Sequence, residues 1–215
     1  MGIPVLILGE SGSGKTYSIK NMDPNKVGIF SVRKGTLPFP EGKKFKVAKH
    51  ATYTTIYKVL QQPKIKSYVI DDSQYLMVDE FFRKANESGY QKYTSIGKNF
   101  SDLLKYIADE IPDDIIVYLL HHTQTTNDGK TKAKTVGQML DNYLTLEGCV
   151  DICLLCYTDG QEHYFMTQSD GANTAKSPEG MFDLKIPNDL AYVDAQIRKY
   201  WDLDKITNDK ESIDG

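Results

Sequence analysis

Arginine is the scarcest charge in this chain. Of 26 basic residues only Arg33, Arg83 and Arg198 are arginine. Small-molecule and nucleoside kinases screen the phosphates of two substrates with an arginine-rich lid, and no arginine cluster is present to build one. Cysteine is almost as rare, and Cys149, Cys153 and Cys156 crowd one stretch. On a strand from Val150 to Tyr157, positions 153 and 156 point to opposite faces and cannot share a metal, so buried thiols of a reducing compartment are expected, without structural zinc. The four histidines show no ligand spacing. No apolar run approaches bilayer length. The first strand is too short, and too soon followed by a glycine-rich loop, for a signal peptide, and Met1-Gly2 lacks the Ser or Thr at position 6 that myristoylation wants. A cytoplasmic protein without a membrane partner is expected. A large excess of one charge is lacking too: the net charge is −3, so nucleic-acid binding would need local patches. Two exist, Lys43, Lys44, Lys46 and Lys49 around Phe45, and Lys130, Lys132 and Lys134; either reads equally as a solvated lysine face.

Against these absences stands one specific signal. Gly9-Glu10-Ser11-Gly12-Ser13-Gly14-Lys15-Thr16 has the spacing G-x-x-x-x-G-K-T, between the apolar run 3–8 and a helix expected from Lys15 to Met22. Glycines let successive amides converge on phosphate oxygens at a helix N-terminus. Lys15 would reach the β- and γ-phosphates, and the Thr16 hydroxyl would ligate Mg²⁺. The expected nucleotide-contacting residues are therefore Gly9, Glu10, Ser11, Gly12, Ser13, Gly14, Lys15, Thr16 and Tyr17, with ATP and Mg²⁺ as the cofactors.

Strands and helices alternate along the chain. Strands are expected at 27–32, about 45–48, 67–72, 114–121, 150–158 and 162–167. Helices are expected at 52–62 with Thr52 as N-cap, 73–86, 96–110, 139–146 and 190–201. Arg33 to Gly42 is turn-rich, and the lysine-bearing stretch 125–135 reads as a loop or hairpin with Asp128-Gly129. This alternation implies an α/β fold with a mostly parallel sheet and an antiparallel hairpin at its C-terminal edge. A single domain is expected over 1–203, with 204–215 a charged, frayed tail.

Tyr68-Val69-Ile70-Asp71-Asp72 is an apolar strand ending in two acids. Downstream of a phosphate loop this pattern assigns Asp71 to Mg²⁺ and Asp72 to the attacking water. The next strand ends in His121-His122-Thr123-Gln124. In the P-loop ATPases that this pattern resembles, those with an acidic water-activating residue, that strand lies between the loop strand and the acidic strand, so the resemblance implies that its end meets the γ-phosphate. His122 and Gln124 share one side of an extended chain and are the candidates for sensing phosphate or water; a polar strand end facing solvent is the alternative.

Together these segments resemble the RecA-like P-loop ATPases, and more closely the compact phage ATP-binding proteins of the single-strand-annealing and recombination group. The residues that carry the resemblance are GESGSGKT at 9–16, YVIDD at 68–72, LLHHTQ at 119–124, KTKAKTVGQML at 130–140 and TAKSPEGMF at 174–182. The resemblance spans roughly residues 1–185. It implies a RecA-like core, a homo-oligomeric ring or filament with ATP at subunit interfaces, single-stranded DNA and phage replication or recombination proteins as partners, and the host cytoplasm as location. Basic residues of a neighbour complete such sites; Lys132 and Lys134, and less directly Lys176, suit that role or contact with DNA phosphates. Tyr90, Tyr93, Phe39 and Phe45 are candidate base-stacking platforms, or else packing residues. A nucleoside or small-molecule kinase and an ATP-gated loader or scaffold remain as alternatives.

Overall fold

The computed structural model describes residues 1–33, 35–137, 140–141 and 144–204. Nine strands form one mixed sheet. These are β1 (Ile3–Gly9), β2 (Val27–Ser31), β3 (Val47–Lys49), β4 (Ser67–Asp71), β5 (Ile116–Thr125), β6 (Thr131–Ala133), β7 (Ile152–Asp159), β8 (Glu162–Met166) and β9 (Lys185–Pro187). Their order is β3-β2-β4-β5-β1-β7-β8-β9, with β6 paired to the far end of β5. All neighbours from β3 through β7 are parallel; β8 runs antiparallel to β7 and β9, and β6 antiparallel to β5. The fold is thus α/β, mostly parallel, with an antiparallel hairpin after β7. As expected from the sequence, β5 lies between β4 and β1.

The central strands are apolar on both faces because helices cover both. Leu6, Leu8, Val117, Leu119, Cys153 and Leu155 pack toward α1 (Tyr53–Leu60), α2 (Gln74–Arg83) and α3 (Tyr90–Asp109). Val5, Ile7, Ile116, Tyr118, Leu120, Leu154 and Cys156 pack on the other face against Ile19, Met22 and α4 (Leu190–Tyr200). Residues alternate between faces with period two, and Cys153 and Cys156 fall on opposite sides for that reason.

Most expected elements form, with physical reasons where they differ. The segment after the loop is a 3₁₀ turn, Thr16–Asn21, rather than a longer helix. Pro24 follows closely and β2 begins at Val27, which leaves no room for further turns. Helix α1 starts where expected, its N-cap Thr52 accepting a hydrogen bond from the Thr55 amide. Helix α3 begins six residues earlier than the apolar spacing suggested, directly after Gly89, whose φ of 91° turns the chain into it. The 125–135 stretch is a hairpin, and β9 is an additional short strand. Of the helix expected at 139–146, residues 139, 142 and 143 lie outside the described residues, 140 and 141 are helical, and Leu146–Cys149 is a 3₁₀ turn; the tail beyond 204 lies outside the described residues. No helix among the described residues is long and apolar enough to cross a membrane.

At the amino ends of the central strands β4 and β5, opposite the glycine-rich loop, Arg198 of α4 fastens helix to sheet. Its Nε donates to Asp194 Oδ2 at 2.6 Å, Nη1 to the Asp114 carbonyl at 3.1 Å, and Nη2 to the Lys66 carbonyl at 2.9 Å and Ser67 Oγ at 3.0 Å. Asp194 Oδ1 accepts from Tyr118 and Ser67. Removing the guanidinium leaves several buried acceptors unserved, a larger effect than loss of a surface ion pair. Arg198→Ala is expected to lower unfolding stability by about 2–3 kcal/mol. Urea denaturation checks this: the midpoint falls while the slope stays constant.

Candidate nucleotide site

The carboxyl ends of parallel strands define the crevice where ligands bind in open α/β sheets. Here β1 delivers the glycine-rich loop, β4 delivers Asp71 and Asp72, and β5 delivers His122. His122 is registered directly beside Gly9. These residues line one cleft of about 800 Å³, a size usual for small-molecule sites.

The loop's glycines are required by its geometry. A Cβ on Gly9 would stand 2.4 Å from Ser13 Oγ. Gly14 has φ of +99°, and a Cβ there would meet Asn188 Nδ2 at 2.4 Å. The loop folds tightly enough that Lys15 curls back into it. Its ammonium donates to the carbonyls of Gly9 and Glu10, each at 2.7 Å. Lys15 is only 6% exposed, and burial lowers its pKa, partly offset by the charges of Cys156, Asp72, Asp71 and Glu10. A buried ammonium held by neutral carbonyls favours an anionic ligand beside it.

Thr16 and Asp71 meet although 55 residues separate them: the Thr16 hydroxyl donates to Asp71 Oδ1 at 2.8 Å. Burial, then the neighbouring Asp72 charge, pushes the Asp71 carboxyl up to about 6, against the opposing pull of Thr16 and Lys15. Asp72 takes a left-handed backbone, φ 61°, which costs a non-glycine residue about 1 kcal/mol or more. Its carboxylate lies 3.3 Å from Nε2 of His122. His121 points the other way. It is fully buried, its Nε2–H donates to the Lys134 carbonyl at 2.8 Å, and burial drives its pKa down to about 4, so the ring is neutral.

The structure therefore brings together Lys15, Thr16, Asp71, Asp72 and His122. It sends Gln124 elsewhere. Gln124 Nε2 donates to Asp141 Oδ2 at 2.6 Å in a separate cleft shared with Lys132. The β5–β6 hairpin carries the strand end past the loop, so sharing a side with His122 does not put Gln124 over the phosphates. Lys132 pairs with the same Asp141 at 3.7 Å. Lys134 is exposed. Lys176 pairs its backbone with Cys153, which sits at the level of Leu6, three residues before Gly9. Phe39 and Phe45 are buried against each other, with Phe39 also against Tyr17, so neither offers a stacking face. Tyr90 is 73% exposed, and Tyr93 lines an adjoining cleft with it.

Several cleft residues had no local signature. His163 on β8 donates through Nδ1 to the Ser13 carbonyl at 2.7 Å, and the Cys156 thiol donates to the same oxygen at 2.9 Å. Asn188, just after β9, donates to the Gly14 carbonyl at 3.2 Å. The β7–β9 edge thus clamps the loop from outside. Arg33, Thr36 and Pro38, from the turn-rich stretch after β2, form the opposite wall with Tyr75. The one available signal was Arg33's place just past the end of a core strand.

Compared with known protein families, the chain matches no family model, and it matches none of the curated proteins.

The side chains fit a triphosphate with one divalent ion. Gly12, φ +84°, has nothing within 4 Å of the place a Cβ would occupy, so the loop tip is open. Among the described residues no three His, Cys, Asp or Glu side chains converge to hold a metal alone. Thr16 and Asp71 supply two hard oxygens, and Mg²⁺ commonly takes its remaining ligands from phosphate and water. Asp71 must be ionised to serve, and its carboxyl is half protonated near pH 6. Magnesium-dependent nucleotide affinity should be flat above that pH and fall below it, by up to about tenfold per pH unit. Calorimetric titration from pH 5 to 8 checks the sign; affinity that holds steady or rises on acidification removes Asp71 from the metal.

Proposed function

We propose that the chain is a magnesium-dependent ATPase of the RecA-like type, acting as an oligomer on single-stranded DNA in phage recombination or replication. The observation that carries the ATPase reading is the contact of Thr16 with Asp71 beside a buried Lys15 ammonium. A structural turn needs neither the hydroxyl–carboxylate pair nor the buried cation.

Each side chain has a definite task in this reading. Lys15 exchanges the Gly9 and Glu10 carbonyls for β- and γ-phosphate oxygens. Thr16 and Asp71 hold the metal, which when bound neutralises charge on the phosphates. Asp72 orients water and accepts its proton, and His122 holds the Asp72 carboxylate in place. Aspartate is shorter than glutamate, and the left-handed backbone at Asp72 changes the direction of its carboxylate. The DNA reading is supported by exposed Lys43, Lys44, Lys46, Lys49, Lys130 and Lys134 and by exposed Tyr90.

One observation favours a second reading, phosphate transfer to a bound acceptor. A neighbouring cleft of about 420 Å³ shares Ser11 and Gly12 with the first. The buried hydroxyls of Ser13 and Thr123 on its walls have no hydrogen-bond partner among the described residues.

A steady-state phosphate-release assay, run with and without single-stranded DNA and alongside light scattering, separates these readings. Wild type should release phosphate only with Mg²⁺, DNA should stimulate release, and nucleotide should drive assembly. Lys15→Ala should abolish turnover, and Asp72→Asn should bind ATP yet hydrolyse it about 100-fold more slowly. Undiminished turnover by Lys15→Ala refutes the ATPase reading; label appearing on a nucleoside instead of as free phosphate favours the acceptor reading.

A further inference from the structure

Arg33 is the only arginine lining the candidate nucleotide cleft. Its guanidinium sits over the Tyr75 ring, 4.4 Å from the centroid, and pairs with Asp79 at 3.0 Å. Tyr75 in turn meets the His122 ring edge-to-face at 5.8 Å, and His122 reaches Asp72 at 3.3 Å. A continuous chain of contacts therefore runs from Asp79 through Arg33, Tyr75 and His122 to Asp72.

Three features make this placement more than a surface ion pair. First, Arg33 and Asp79 are each about two-fifths exposed (41% and 40%), so their attraction is screened and little is lost when they part. Second, the aromatic face under the guanidinium keeps it at the cleft wall whether or not Asp79 holds it. Third, among the described residues Lys15 is the one other lysine or arginine in the cleft lining. Charge that develops on the γ-phosphate oxygens during hydrolysis calls for a second cation, and a planar guanidinium offers two parallel donors to such oxygens.

We infer that Arg33 is a γ-phosphate-binding residue supplied by the same chain, which leaves Asp79 for a triphosphate and returns to it with a diphosphate. This rests on the nucleotide reading of the cleft and deepens it. It supplies a second cation to the site despite the scarcity of arginine, and it needs no neighbouring subunit. It also links occupancy to catalysis. When Arg33 pivots over Tyr75 from Asp79 toward the phosphate, the ring that packs His122 beside Asp72 adjusts with it. Asp79 acts in the opposite sense, as a competitor for the guanidinium.

The test is calorimetric binding of a magnesium-bound non-hydrolysable ATP analogue and of magnesium-bound ADP to wild type, Arg33→Ala, Arg33→Lys and Asp79→Asn. Single-turnover hydrolysis of ATP is measured on the same proteins, and circular dichroism confirms that each is folded. Arg33→Ala should weaken the analogue about tenfold or more while leaving ADP within about threefold of wild type, and should slow hydrolysis by about 100-fold or more. Arg33→Lys should fall between, since an ammonium keeps the charge but not the paired donors. Asp79→Asn should bind the analogue at least as tightly as wild type.

The inference is overturned if Arg33→Ala binds both nucleotides like wild type, or loses both equally. It is also overturned if Asp79→Asn weakens the analogue as much as Arg33→Ala does, because the ion pair would then be a structural clamp. Wild type that binds neither nucleotide sinks the nucleotide reading, and this inference with it; wild type that binds both, with Arg33→Ala unchanged, sinks the inference alone.

Discussion

A positive charge taken out of water must be answered, and in this protein the Lys15 ammonium donates to two main-chain oxygens, those of Gly9 and Glu10. Much of the surrounding architecture can be read as a response to that charge. Asp71 and Asp72 stand near enough to pull the Lys15 pKa upward. Asp71 is taken up by Thr16 and Asp72 by His122. The hydroxyl of Thr16 and the ring of His122 take up the carboxylates while carbonyls take the ammonium, and neutral carbonyls are partners that an anionic ligand can replace.

The sheet order makes this arrangement possible. Because β5 lies between β1 and β4, the acidic pair is displaced one strand away from the loop, and His122 fills the place between. On the other side the loop is held by groups that contact its carbonyls: the Cys156 thiol, the His163 ring and the Asn188 amide. With Ser13 and Gly14 carbonyls turned outward to these donors, the opposite faces of the same peptides present their N–H groups inward. The antiparallel β7–β8–β9 edge thus acts on the glycine-rich loop and is more than a closing flap. The 3₁₀ turn after the loop is short, so positioning of the loop relies on this lateral clamp more than on a long helix behind it.

Much of this was legible in the amino-acid order because the signals are local. The loop motif, the apolar strand ending in Asp71-Asp72, and the period-two separation of Cys153 from Cys156 each lie within a few residues. What the sequence hid depends on distant partners. Nothing near His163 or Asn188 marks them, since both act across the hairpin on a loop about 150 residues or more away. Phe39 and Phe45 flank a lysine patch and resemble stacking platforms, yet the 3₁₀ turn between them, Pro40–Lys44, faces both rings inward and the lysines outward. Gln124 shares its strand face with His122, but the hairpin partner β6 and Asp141 draw it to another cleft. Arg33 was counted only as evidence of scarcity; the fold puts it where a scarce residue counts most.

The central claim is that the loop amides and Lys15 enclose a triphosphate whose metal rests on Thr16 and Asp71. Crystals grown with Mg²⁺ and a non-hydrolysable ATP analogue test it most directly. The account predicts phosphate density inside the loop, the Lys15 ammonium moved from the Gly9 and Glu10 carbonyls to phosphate oxygen, and one Mg²⁺ beside Thr16 with Asp71 in its coordination sphere, directly or through water. An empty loop with Lys15 still on its carbonyls, or the analogue bound in a different cleft, would contradict it.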